Sequence, residues 1–296
     1  MKQRFLFGLI ASLIFIGLSI LTRNPIVVGV GVWGFMLIWY LGKKDGLIKR
    51  RIGLIAITLL IMLGFIQTTG NVVLSAVVTW IIVVFGYLAM ALLRHGKRLK
   101  LLEEDCDPLA FLEATKKQLK IMGKSKRDFT LLQIDMVAGE ILLGESEQAM
   151  ERLLSIDQLI LSDRNGSRFA YYMNMIACHY ELGNIEQAEE LFEEKIPTLA
   201  PVNRQMRIAM KALMAERLLY LKRYDESAAQ FDNLLHEKLS KRMRLSVLFN
   251  LAKIEESRGE WESALVKYQE VAANGNQLSI AKEAKGILQD HREVVE

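Results

Sequence analysis

Tyr172-Met-Asn-Met-Ile-Ala-Cys-His-Tyr-Glu-Leu-Gly183-Asn-Ile-Glu-Gln-Ala188-Glu-Glu-Leu-Phe192 decides how this chain folds. A helical run stops at Gly183, a small residue, Ala188, follows five places on, and Phe192 comes four places after that. Glycine supplies the positive φ that ends a helix. A small side chain in the next helix lets two antiparallel helices approach closely. The large residue one turn later, on the same face, fills the space between them. The stretch predicts a helix hairpin with its turn at Gly183.

The same spacing recurs on both sides of it. Gly144, Ala149 and Leu153 precede it; Lys222, Ser227 and Phe231, then Gly259, Ala264 and Tyr268, follow it. From 144 to 183 to 222 to 259 the turn positions lie 39, 39 and 37 residues apart. Self-similarity at a near-constant period is the mark of stacked helical repeats, each too small to bury its apolar face alone.

This pattern resembles the tetratricopeptide repeat (TPR) family over roughly residues 126–275. The passage around Gly183 is the best match, and Gly259-Glu-Trp-Glu-Ser-Ala264 with Tyr268 is nearly as good. The third passage keeps an aromatic, Tyr224, two places after the turn but has Lys222 where glycine is usual; the first has Leu153 in place of an aromatic. The family's period is about 34 residues, so the longer period here implies extended helices or loops. The resemblance implies a TPR-like domain over 126–296, about four hairpins stacked as a solenoid, with the helix about Leu278–Val294 as its polar end cap. It also implies a groove lined by the first helix of each hairpin: Met173, Tyr180 and Glu181, then Glu216, Leu219 and Tyr220, then Phe249, Lys253 and Glu256. A clamp for a peptide carboxylate would draw on Lys253, Asn174 and Asn250, but Glu181, Glu216 and Glu256 oppose it. An aromatic and acidic groove suits a basic or apolar segment of a protein or peptide partner.

The first third of the chain is different. The apolar cores Phe5–Leu21, Ile26–Leu41, Ile52–Ile66 and Val72–Leu93 contain no Asp, Glu, Lys, Arg or His. A span needs about 20 mainly apolar residues, or as few as about 17. The expectation is a membrane domain over 1–96 with four transmembrane helices, about 5–22, 25–41, 51–68 and 72–93. The third core is short; it is either a span completed by Gln67–Thr69 or a buried hairpin arm. A cleaved signal peptide is the alternative for the first core, but a second apolar stretch follows almost at once. Lys2 and Arg4, the cluster Lys43 to Arg51, and Arg94 to Lys100 alternate with nearly uncharged loops. Basic loops stay in the cytoplasm. The chain therefore reads as a multi-pass protein of the cell membrane with both termini cytoplasmic, and 97–125 as a basic juxtamembrane segment with a connecting helix from Asp107-Pro108.

Charge divides the chain the same way. Residues 1–100 hold twelve Lys/Arg and one acid, Asp45; residues 101–296 hold 26 Lys/Arg and 33 Asp/Glu. The mildly acidic second part argues against nucleic acid. Spans without ionisable residues lack the usual means of moving ions or protons, so the membrane domain reads as an anchor. Cys106 and Cys178 form no metal spacing and read as free thiols. No nucleotide, metalloprotease or nucleophile-elbow motif occurs, and His95, His179, His236 and His291 do not pair at helical spacing. The expectation is an all-α, non-enzymatic scaffold or adaptor with no cofactor, metal or small-molecule substrate. The competing expectations are an accessory subunit of a transporter or membrane enzyme, and a sensor that regulates a cytoplasmic enzyme.

Overall fold

The computed structural model describes residues 70–121 and 126–295, with Thr58, Met62, Ile66 and Gln67 before them. The first three expected spans lie almost wholly outside the described residues. The described residues are all-α. Eleven helices follow one another: α1 (Val72–Glu103), α2 (Pro108–Ile121), α3 (Lys126–Leu143), α4 (Ser146–Leu154), α5 (Ser167–Glu181), α6 (Ile185–Lys195), α7 (Arg204–Tyr220), α8 (Tyr224–Leu235), α9 (Lys241–Ser257), α10 (Trp261–Asn274) and α11 (Ser279–Val295). The chain divides into two compact units, one of residues 1–95 with 120–125, the other of 96–119 with 126–296.

α1, which lies in the first unit as far as His95, is long and apolar enough to cross a membrane. Its outward face carries Leu74, Ile81, Phe85, Leu88, Leu92 and Leu93, all exposed. Such a face is costly in water and neutral in hydrocarbon. The helix does not stop where its apolar residues do. Nothing after Leu93 breaks it, and it runs on to Glu103.

In the second unit, helices pair in order: α3 with α4, α5 with α6, α7 with α8, α9 with α10. All four turns have one construction. Gly144, Gly183, Lys222 and Gly259 have φ of 82, 74, 59 and 78°. Each donates its N–H three residues back, and the next residue donates five back: Gly183 N to Tyr180 O at 3.0 Å and Asn184 N to His179 O at 2.9 Å, with the same pair at the other three turns. These two bonds satisfy carbonyls that a helix end would leave bare. Lys222 makes them with a side chain that resists this conformation. Lys222→Gly is therefore expected to stabilise the protein by about 0.5–1 kcal/mol, read as a higher urea midpoint; a lower midpoint would refute the strain.

The small and large residues of the repeat meet as the spacing requires. Ala149, Ala188, Ser227 and Ala264 are fully enclosed, and Leu153, Phe192, Phe231 and Tyr268 are buried beside them. Each hairpin then shares its core with the first helix of the next. Ile134, Leu153 and Tyr171 join α3, α4 and α5; Ile176, Phe192 and Leu213 join α5, α6 and α7; Ala215, Phe231 and Ile254 join α7, α8 and α9; Phe249, Tyr268 and Ala281 join α9, α10 and α11.

Two of these segments do more than the expectations say. The last helix is more than a polar cap. Leu278, Ala281 and Ala284 are fully buried, and its start reaches back to the end of α3, where a Cβ on Gly144 would stand 3.2 Å from that of Ser279. The segment after α1 meets the same end of the domain: Asn276 donates to Asp105 O at 3.0 Å, and Gln277 N to Cys106 O at 3.2 Å. First and last parts of the array thus touch. Arg98, in the basic juxtamembrane segment, is only 5% exposed; it bonds Asp135 at 2.5 Å and Gln118 at 3.0 Å, and its guanidinium lies over Phe111. Within the second unit it fastens the last turns of α1, from Gly96 on, to α2 and α3.

Candidate functional site

The first helices α5, α7, α9 and α11 lie side by side, and polar side chains link them. Tyr220 donates its hydroxyl to Glu181 Oε1 at 3.2 Å, from α7 to α5. Asn250 donates to Glu216 Oε1 at 3.4 Å, from α9 to α7. Lys253 reaches Glu283 at 3.5 Å, from α9 to α11. The rings of Tyr180 and Tyr220 stack, 4.6 Å apart and 4° from parallel. The three polar contacts are long or exposed and contribute little stability.

The structure separates the nine expected groove residues into two groups. Glu181 and Lys253 are exposed, and Glu216 and Tyr220 are partly so. Met173, Tyr180 and Phe249 are instead buried in the cores, because the inward face of each first helix must also fill the space behind it. Leu219 packs against the core of α7, α8 and α9. Glu256 accepts from Tyr268 at 2.6 Å and so joins α9 to α10. Tyr180 likewise spends its hydroxyl on Glu189, which Arg217 grips through three bonds of 2.7–3.0 Å. Glu283 was not expected here, since its helix reads as a cap; a polar residue facing the neighbouring Lys253 is visible only once α11 is placed. Asn174 and Asn250 do not gather with Lys253 into a carboxylate clamp: Asn250 is turned to Glu216.

Burial, followed by the nearby Glu181 charge, pushes the Glu216 carboxyl up to about 7, against the opposing pull of Arg242 and Asn250. Burial and the same carboxylates push the Tyr220 hydroxyl up as well. Since Glu216 has a folded value above its unfolded 4.5, the folded state holds the proton longer, and stability falls as pH rises from about 4.5 to about 7. Glu216→Gln removes this loss. The variant is expected to be more stable than the parent at pH 8 and equal to it near pH 4. Denaturation at both values checks this, and an equal difference at the two would rule out the proton linkage.

Among the described residues no three His, Cys, Asp or Glu side chains come close enough to hold a metal ion. Cys106 and Cys178 are buried free thiols, and burial pushes Cys178 up to about 12, far from a reactive thiolate. His179 lies next to Cys178 in sequence; its Nδ1 is buried without a hydrogen bond, and burial lowers its pKa. The strip offers hydrogen-bonding and charged groups. No family model matches the chain, and neither does any curated protein or any solved structure.

Proposed function

We propose that this protein is a membrane-anchored scaffold or adaptor, a four-span anchor carrying a cytoplasmic TPR-like solenoid that binds a protein or peptide partner. The observation that carries the reading is the strip of Glu181, Tyr220, Glu216 and Lys253 across α5, α7 and α9, exposed at Glu181 and Lys253 and half-buried at Tyr220 and Glu216, whose polar groups meet through long or exposed hydrogen bonds and ion pairs. Two carboxylates, Glu181 and Glu283, against one lysine, with Glu216 pushed up to about 7 between them, suit a basic or apolar segment. The apolar outer face of α1 supports the anchor, and the basic segments that alternate with neutral loops support cytoplasmic termini.

Photo-crosslinkers at Glu181 and Lys253, in intact membranes, are expected to trap one and the same partner. A crosslinker at Glu190, exposed on α6, is expected to miss it. Identical adducts from all three positions, or none from any, would count against the strip. Reporter fusions at Asn24, Asp45 and Gly70 test the anchor: an external Asp45 would overturn the orientation.

A further inference from the structure

At the opposite ends of the same first helices, the N-terminal ends of α5, α7 and α9, a cleft of about 300 Å³ opens. Phe169, Met173, Met206, Ile208 and Met243 line it. Methionine adapts its shape to what it meets, and the volume, at the low end for a ligand site, accommodates one large side chain.

The surroundings are basic. Lys238, just before α9, and Arg242, at its start, line the cleft; Arg204, Arg207 and Lys211 on α7 and Lys241 and Arg244 on α9 are their neighbours in sequence. The carboxylates paired with these seven cations are three: Glu237 with Lys211 and Arg204, Glu270 with Arg244, and Glu103 with Arg242. Positive charge is left over, most plainly on the exposed Arg207 and Lys238.

One carboxylate already sits in the cleft, and it is the chain's own. Glu103, the last residue of α1, accepts from Ser240 Oγ at 2.5 Å, and from Arg242 Nε and Nη2 at 3.1 and 3.0 Å. The cleft therefore combines a carboxylate clasp, surplus cations and an adaptable apolar floor.

We infer that this cleft docks an acidic segment of a protein partner, one large apolar side chain entering the methionine floor and flanking carboxylates meeting Arg207, Lys238 and Arg242 as Glu103 gives way. The site is separate from the strip of Glu181 and Lys253 and opposite in charge preference, so either can fail alone.

The test uses the full-length protein in zwitterionic nanodiscs and a labelled short peptide of glutamates flanking one phenylalanine. The wild type is expected to bind it, and to ignore the counterpart with lysine for each glutamate. Arg207→Glu with Lys238→Glu is expected to weaken binding about tenfold with little change in thermal midpoint, since both side chains are exposed. Glu103→Gln is expected to tighten it. Equal binding of the acidic and basic peptides by the wild type, or indifference to the double charge reversal, would overturn the inference. So would loss of peptide binding in anionic nanodiscs that depends on Arg207 and Lys238, which would assign the patch to the bilayer.

Discussion

Arg152→Met is expected to destabilise the protein by about 3–5 kcal/mol, lowering its thermal midpoint by roughly 10 °C. The reason is the partner. Glu140 on α3 is 1% exposed, and Arg152 on α4 grips both its oxygens at 2.6, 2.8 and 3.0 Å while also holding Gln133. Methionine keeps most of the stem but leaves a carboxylate buried without its counter-charge, the costly way to break such a pair. Glu140→Leu together with Arg152→Met removes both charges and is expected to recover most of the loss. A single variant within 1 kcal/mol of the parent would mean that water reaches Glu140. The sequence carries a trace of this pair: an acid four before the turn glycine and a base eight after it. Glu255 and Lys267 repeat it around Gly259, at 2.6 and 2.8 Å.

The second large effect comes from two neighbours. Leu153 is 0% exposed and Leu154 is 70% exposed. Leu153→Ala is expected to cost about 2–5 kcal/mol, from lost transfer energy and the cavity left among Ile134, Val137 and Tyr171. Leu154→Ala is expected to stay within about 0.5 kcal/mol. Thermal melts of the two variants side by side make the comparison; equal losses would place α4 one residue out of register.

Most of the hairpin construction was legible because it depends on local chemistry. The turn positions, the small residue five places on and the large one nine places on are set by backbone conformation and by spacing on one helix face. Lys222 shows how far this reaches: a position without glycine still takes the left-handed turn, since the paired helices on either side leave the chain no other route. The groove residues were less legible. A first helix turns part of its inward face to the core and part to the strip, and periodicity alone does not divide Met173, Tyr180 and Phe249 from Glu181, Glu216 and Lys253.

Two matters rest on contacts between residues far apart in the chain. Arg98 reads in sequence as one more cation after an apolar helix, yet Asp135 and Gln118 make it a buried fastening. Glu103 and Arg242 are 139 residues apart, and no local pattern links them; only the return of α11 to α3, and of Asp105 and Cys106 to the loop before α11, brings the two ends of the array together. What a residue's near neighbours impose, such as helix, turn, apolar face and the charge of a loop, can be read along the chain. Which charges end up buried in pairs and which line an open cleft depends on how the packed helices exclude water, and that is set only when the hairpins stack.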